Sequence, residues 1–460
     1  MLNTQSFFSL ILILLFSLMN TKEKGNTTVN LITLDPGHFH ASLIQKYMHP
    51  RVSPVVQVYA PNGPDLEAHL KLIKVFNSRK NNATNWVEQV YAGDDYFHKM
   101  LQDKAGNVVV ISGNNSRKTE YILKSIKAGF HVLADKPMAI TPTDFMLLRR
   151  AFEHASKNNI LLYDIMTERY EITNVIQREL AQMPDVFGII EKSTPEQPAV
   201  VMESVHQFHK EVNGKPLTRS AWFFDANQQG GGIADVGTHL VDLTQWLCFP
   251  CQNLDWRRDI KLNYATSWPT KLTIEQFKLL TGLSEYPAIL KKDIDADNLL
   301  NVQHNGELVY SIRGVHIKIK VFWNFEDNSR AKDTHYSMLR GTLANLIIKQ
   351  DPEQRWKPIL YIENNSSLSD TEFERRLRSS ILKLGETWPD LDVVSTGTNW
   401  EIVIPEKFCT DHEYHFAQVM EKYLQFYSER RMPDWEVSHM VAKYFTTTET
   451  KNNAWSVFQI

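Results

Sequence analysis

Two acids and a histidine follow a run of glycines near the middle of the chain. Residues 230–232 are all glycine, and Asp235, His239 and Asp242 then occupy positions i, i+4 and i+7. A helix would place these three side chains on one face, where an acid beside a histidine can move a proton. A polar stripe at this spacing is equally typical of a solvated helix face. The glycines favour the first interpretation, because they let the backbone approach a ligand that a side chain would obstruct.

A lysine stands at a predicted strand end in HVLADKPMAI, residues 131–140. Pro137 disfavours helical backbone at Lys136, so the lysine should stay at the tip of the strand. In a cleft, its ammonium group could polarise or hydrogen-bond a substrate oxygen. On this feature alone, an exposed loop lysine is the favoured interpretation.

The turn after the first predicted strand reads LDPGHFHASL and holds one glycine, Gly37. Backbone N–H groups at a helix start can bind a pyrophosphate without a full set of glycines. His38 and His40 also suit the first two ligands of a metal-dependent hydrolase. The later strand ends, residues 112–114 and 135–137, offer no further histidine, so we assign no metal ligands from the sequence.

The elements around these residues alternate between strand and helix. Short apolar runs predict strands, and amphipathic segments between them predict helices. The predicted strands cover residues 29–34, 55–60, 86–92, 107–112, 131–134 and 160–166. This alternation predicts a doubly wound parallel sheet of the Rossmann type, whose ligand lies beyond the carboxyl ends of the strands.

The alternation stops near residue 170, and strand-rich stretches such as ELVYSIRGVHIKIKVFW, residues 307–323, follow. A chain of 460 residues is also too long for one ordinary domain. We therefore predict an α/β protein with a dinucleotide-binding Rossmann domain over residues 28–168. An α+β substrate-binding domain with an open, mainly antiparallel sheet should cover residues 169–460.

The N-terminus carries an uninterrupted apolar block, FFSLILILLFSLM, over residues 7–19. It is shorter than the roughly 20 residues of a membrane span, so we predict a signal peptide or N-terminal anchor over residues 1–27. This predicts an exported, periplasmic protein that meets the membrane only through that segment. The 50 basic and 53 acidic side chains give a net charge of −3, which disfavours nucleic acid as a partner.

Two stretches resemble a known family. VVVISGNNSRKTEYILKSIKAGFHVLADKPMAI is similar to a segment of the glucose–fructose oxidoreductase/inositol dehydrogenase (Gfo/Idh/MocA) family, in which a strand ends in Glu-Lys-Pro. GGGIADVGTHLVDLTQW resembles that family's second signature, a glycine run followed by Asp-x-x-x-His. The resemblance spans roughly residues 29–250. It implies an NAD- or NADP-dependent oxidoreductase that acts on a CH–OH group of a sugar, glycoside or polyol, and we expect a homo-oligomer.

The resemblance also implies roles for individual residues. Lys136 matches the catalytic lysine, Asp235 the catalytic acid, and His239 the histidine that accepts the hydroxyl proton. The expected cofactor-binding residues are Pro36, Gly37, His38, Phe39, His40, Ser112, Asn114, Asn115, Asp135 and Lys136. The expected substrate-binding residues are Arg169, His206, His209, Trp222 and Asp242.

Three departures from the family pattern concern the cofactor. Asp135 replaces the usual Glu, and the turn at residues 36–40 replaces a glycine-rich one. The second strand ends in Tyr-Ala-Pro-Asn, with neither the acid that takes the ribose hydroxyls nor a basic residue for a 2′-phosphate. The missing basic residue favours NAD over NADP.

Export would also constrain the chemistry, because free NAD is scarce outside the cytoplasm. We expect a tightly bound cofactor that is recycled within the site. A glycosidase that acts by transient oxidation of the sugar meets this constraint. A metal-dependent hydrolase using the two histidines, and a non-catalytic sugar sensor, are further alternatives.

Overall fold

The computed structural model describes residues 28–212, 215–326 and 332–450. Within these ranges, the first half of the chain forms a six-stranded parallel sheet in the order β3-β2-β1-β4-β5-β6. Its strands are β1 (Leu31–Leu34), β2 (Val55–Ala60), β3 (Val87–Ala92), β4 (Val108–Ile111), β5 (His131–Asp135) and β6 (Leu162–Ile165). This strand order is that of a Rossmann fold, so the predicted first domain type is confirmed.

The helices of this half cross between the parallel strands. They are α1 (His40–Leu43), α2 (Pro64–Asn77), α3 (Tyr96–Asp103), α4 (Asn115–Lys127) and α5 (Pro142–Lys157). Strands β1, β4 and β6 are buried along their whole length, which explains why they are continuous apolar runs in the sequence. Because the order places β1, β4 and β5 side by side, the turns at their carboxyl ends meet at one edge.

The second half contains a nine-stranded sheet in the order β10-β11-β12-β7-β13-β14-β15-β17-β16, again within the described ranges. Its neighbours pair antiparallel except β12 with β7. The strands are β7 (Val200–Gln207), β10 (Ile260–Leu272), β11 (Leu300–Ile312), β12 (Val315–Asn324), β13 (Thr334–Arg340), β14 (Ala344–Gln350), β15 (Ile359–Asn364), β16 (Asp392–Ser395) and β17 (Trp400–Val403). A small hairpin joins β8 (Glu211–Val212) and β9 (Lys215–Pro216). The predicted open, mainly antiparallel sheet is confirmed.

Some helices of the second half cover this sheet, and others pack on the first domain. They are α6 (Ile172–Ala181), α7 (Ala226–Gln229), α8 (Val236–Cys248), α9 (Ile274–Thr281), α10 (Asp370–Leu384), α11 (His412–Glu429) and α12 (Asp434–Glu449). Phe416 and Tyr423 of α11 and Tyr444 of α12 belong to the hydrophobic core of the Rossmann sheet. The last two helices therefore pack on the first domain, although they follow the second in sequence. The boundary between residues 168 and 169 stays a prediction.

The predicted signal peptide or anchor, residues 1–27, lies outside the described residues. Of the helices in the described ranges, none has the length and apolar character needed to cross a membrane.

Candidate functional site

Two of the three catalytic residues expected from the signatures meet across the predicted domain boundary. Lys136 follows β5 of the first sheet, and Asp235 immediately precedes α8 of the second domain. Their side chains form an ion pair and are about nine-tenths buried. The second oxygen of Asp235 accepts a hydrogen bond of 2.7 Å from Gln229 Nε2. No motif in the sequence indicated this role for Gln229.

The ion pair controls the charge of both partners. Burial alone lowers the pKa of Lys136, but the negative charge of Asp235 raises it above its ordinary value. Burial alone raises the pKa of Asp235, but the charge of Lys136 holds it below its ordinary range. Both groups are therefore ionised at neutral pH. Lys136 is a hydrogen-bond donor and a positive charge in a cavity that is sheltered from water.

His239 lies one turn into α8. Its Nδ1 atom is buried and has no hydrogen-bond partner among the described residues. Burial, followed by the positive charge of Lys136 and then by His412, lowers the pKa of His239 well below its ordinary value. The imidazole is therefore neutral near pH 7, which is the form that can accept a proton.

The helix geometry corrects two expectations. α8 begins at Val236, so Asp235 precedes the helix and the three polar residues do not form one helical face. The glycines do not lie open to a ligand either. A Cβ on Gly230 would lie 2.8 Å from Ile140 Cγ2, and one on Gly232 would lie 2.1 Å from the backbone oxygen of His304. These glycines let the turn pack against protein.

The expected cofactor residues lie together at the carboxyl edge of the Rossmann sheet. Gly37 and Gly113 lie close together, and a Cβ on Gly113 would lie 3.0 Å from Gly37 N and 2.0 Å from the backbone oxygen of Asp35. Asn114 caps α4 by accepting a hydrogen bond of 3.0 Å from the Ser116 N–H. Asn115 donates to the backbone oxygen of Gln229 at 2.7 Å, which ties this edge to the second domain.

The turn at residues 36–40 has a different arrangement from a glycine-rich phosphate loop. The N–H of Gly37 donates to Asp35 O at 2.9 Å, and that of His38 donates to Ser112 O at 3.1 Å. Pro36 is buried, and Phe39 packs against the core of the sheet. His38 and His40 turn their Nδ1 atoms toward the Asp135 carboxylate instead.

The surroundings of Lys136 and His239 suit the nicotinamide end of the cofactor. The buried Nδ1 of His239, which has no hydrogen-bond partner among the described residues, belongs to the same region as the Lys136 charge. Ser112, Asn114 and Asn115 would flank the bound group at the start of α4. Lys118, which the sequence did not reveal, donates to Asn115 Oδ1 at 2.7 Å, and burial lowers its pKa to about 8.

Arg169 and Asp242 are placed in an internal network. Two nitrogens of Arg169 donate to the two oxygens of Asp242 at 2.6 and 2.7 Å. Lys443 Nζ lies 2.7 Å from Asp242 and 2.6 Å from Asp164, and Arg169 also binds Glu436 at 2.9 Å. The carboxylate of Asp242 is thus already saturated by protein partners. The substrate role of Arg169 and Asp242 is an expectation from the sequence, and this network favours a structural role for Asp242 instead.

The other expected substrate residues occupy two places. Trp222 lines a small cavity together with His38, Lys136 and Asp235. His206 lies at the end of β7, where its Nδ1 is 3.1 Å from Asp333 and its ring stacks on Trp323 at 5.0 Å. The ring of His209 stacks on Phe325 with a centroid distance of 6.2 Å. Of these three, only Trp222 is a wall of the Lys136 cavity.

Fold and site together define a two-domain oxidoreductase with an NAD-binding Rossmann domain. The family described as "Oxidoreductase family, NAD-binding Rossmann fold" matches residues 37–163, and "Putative oxidoreductase C terminal domain" matches residues 176–455. The chain belongs to this Gfo/Idh/MocA oxidoreductase family. Its cofactor class is therefore NAD(P), and its reaction class is oxidoreduction.

Three relatives illustrate the family. The crystal structure of a "putative oxidoreductase" from Parabacteroides merdae ATCC 43184 is 48% identical, has a TM-score of 0.91 and covers 94% of this chain and 99% of that chain. The scyllo-inositol 2-dehydrogenase (NADP(+)) IolW of Bacillus subtilis strain 168 is 22% identical over 235 residues, which are 50% of this chain and 58% of that protein. A levoglucosan dehydrogenase in complex with NADH and levoglucosan shares the fold at 13% identity, with a TM-score of 0.55 and coverage of 92% of this chain and 97% of that chain.

Proposed function

We propose that this protein interconverts a hydroxyl carbon and a carbonyl carbon of a sugar, glycoside or polyol. The observation that carries the proposal is the buried Lys136–Asp235 ion pair at the domain boundary, with His239 one turn along the adjoining helix. The names of the inositol and levoglucosan dehydrogenases support a carbohydrate substrate. A bound nicotinamide would supply hydride acceptance or donation.

The chain's own residues would handle the proton and the oxygen. His239, neutral because of burial, accepts the hydroxyl proton when the substrate is oxidised. Lys136 donates a hydrogen bond to the substrate oxygen and stabilises its developing negative charge. Asp235, held by Gln229, keeps the ammonium group of Lys136 in place.

The proposal includes the cofactor form and the cellular location. We propose NAD rather than NADP, because the end of β2 carries no basic residue for a 2′-phosphate. We also propose export, on the apolar block at residues 7–19, and a cofactor bound tightly enough to be recycled within the site. Assembly into a homo-oligomer is part of the same proposal, and light scattering of the purified protein would measure it.

The test is to express residues 24–460, denature the purified protein and identify the released small molecule by mass spectrometry. We expect about one NAD per chain, and reduction of the bound nucleotide on addition of a sugar or polyol substrate. Retention of the nucleotide on dilution supports internal recycling, and free release contradicts it. The carbohydrate oxidoreductase proposal fails if reconstituted protein, supplied with NAD or NADP, reduces neither with any member of a sugar, glycoside and polyol panel.

A further inference from the structure

Three side chains from two separate turns converge at the carboxyl edge of the Rossmann sheet. His38 and His40 lie after β1, and Asp135 ends β5. Nδ1 of His40 is 3.1 Å from both oxygens of Asp135, and Nδ1 of His38 is 3.3 Å from Oδ2. Their nearest nitrogen and oxygen atoms all lie within 4.8 Å of one another.

These distances suit a common metal ligand set. Zinc bound by imidazole and carboxylate has bonds of about 2.0–2.2 Å, so the ligand atoms of a tetrahedral site lie roughly 3.3–3.5 Å apart. The observed contacts of each nitrogen with the carboxylate are close to that spacing. Two imidazoles and one carboxylate, with a fourth position open, form the donor set of many zinc sites that bind water or substrate.

Two imidazole nitrogens converge on one buried carboxylate. His38 Nδ1 lies 3.3 Å from Asp135 Oδ2, a longer contact than the 3.1 Å between His40 Nδ1 and the same carboxylate. A shared cation would bind both nitrogens and the carboxylate at once.

The surroundings of the cluster leave the carboxylate free to bind a cation. Within the described ranges, only the two imidazoles form ion pairs with Asp135. The Lys136 ammonium is paired with Asp235, and Lys118 binds Asn115 Oδ1 and the backbone oxygens of Asp135 and Lys136. Ser112 Oγ donates to Asp135 Oδ2 at 2.9 Å and orients it, as outer partners of metal ligands commonly do.

We propose that His38, His40 and Asp135 bind a divalent transition-metal ion of the Zn²⁺ type. The free coordination position would face the cavity that His38 and Asp135 share with Lys136, Trp222 and Asp235. An ion there would bind a substrate oxygen on the same side as the Lys136 ammonium. The role of the ion in substrate binding rests on the proposed function, whereas the binding of the ion itself can be measured separately.

The experiment measures metal in the full chain, purified without a metal-affinity step. After equilibration with Zn²⁺ and desalting, we expect elemental mass spectrometry to find about one zinc per chain. Exchange for Co²⁺ should give the visible absorption of a tetrahedral site, and chelation should lower the melting temperature. Less than about one-tenth of an equivalent, with no zinc-dependent shift in melting temperature, overturns the proposal.

Single substitutions test which side chains bind the ion. H40A and D135N should lose the zinc and the cobalt absorption, while H98A, which removes an exposed imidazole on α3, should keep both. S112A should bind zinc about 10–100-fold more weakly, because Asp135 loses its orienting donor. If H40A is poorly folded by circular dichroism, S112A and the more conservative H38N provide the test. Stoichiometric zinc in H38N/H40A would overturn the assignment.

The same preparation separates this proposal from the proposed function. Bound nucleotide without metal would leave the oxidoreductase intact and remove the ion site. Metal lost in H40A, together with no detectable nucleotide turnover in the wild type, would support the ion site and contradict the proposed function.

Discussion

Lys136 and Asp235 are separated by 99 residues in the chain and form a buried ion pair between the Rossmann sheet and the start of α8. Removing one partner leaves the other charge buried and unpaired. We therefore expect K136M and D235N each to lower the free energy of unfolding by about 3–5 kcal/mol. The double variant should lose much less unfolding free energy than the sum of the two single losses. Urea unfolding in a double-mutant cycle would measure this difference. K124M, which breaks an exposed pair with Glu120, should change stability by at most about 1 kcal/mol. Strict additivity of the two buried changes would contradict the coupling.

His239 should be needed for turnover but not for cofactor binding. Replacement by alanine removes the neutral base and should lower kcat about 10²–10⁴-fold with the assigned carbohydrate substrate. The amount of nucleotide released on denaturation should stay the same, with H98A as the matched control. Unchanged kcat in H239A would remove His239 from the proton transfer.

Asp242 should act on stability rather than on substrate affinity. Its two oxygens already bind Arg169 and Lys443, so D242N leaves buried positive charge without its partner. We expect a loss of about 3–5 kcal/mol in unfolding free energy, with KM close to that of the wild type. A raised KM with an unchanged melting temperature would instead show that Asp242 contacts substrate.

The glycine run should be sensitive for steric reasons. G232A would put a Cβ 2.1 Å from the backbone oxygen of His304, whereas G237A would meet no atom closer than 3.4 Å. G232A should lower the free energy of unfolding by about 1–3 kcal/mol or more, and G237A should change it little. Thermal unfolding of the two variants compares them directly, and equal melting temperatures would contradict the packing described for this turn.

Buried histidines should make the fold sensitive to mild acid. Burial lowers the pKa of His304 and of His439 from 6.5 to about 4, so each binds fewer protons in the folded chain than in the unfolded chain between those pH values. Their contribution to stability should fall as the pH drops from 6.5 toward 4, whereas Glu88 and Glu171, whose pKa values burial raises to about 7, contribute in the opposite direction as the pH drops below 7. Urea midpoints across this range would measure the slope. H304Q should reduce the slope by up to about one proton.

Local patterns were sufficient for the elements of the first domain. The predicted strand over residues 55–60 agrees with β2 at both ends, and the strand predicted over 107–112 became Val108–Ile111. Buried parallel strands are continuous apolar runs, and Pro, Gly or Asn ends them. Both signals act over a few residues, so they can be recognised without knowing what the strand packs against.

The sequence by itself determined the alternating strands and helices, the strand-end position of Lys136, and the family signature that joins it to Asp235 and His239. Only the tertiary structure decided which side chains meet. It set Arg169 against Asp242 and Lys443, docked the two C-terminal helices on the Rossmann core, and aimed His38 and His40 at Asp135. These contacts depend on strand order and domain packing between distant parts of the chain, whereas periodicity and turn residues report only on their immediate neighbours.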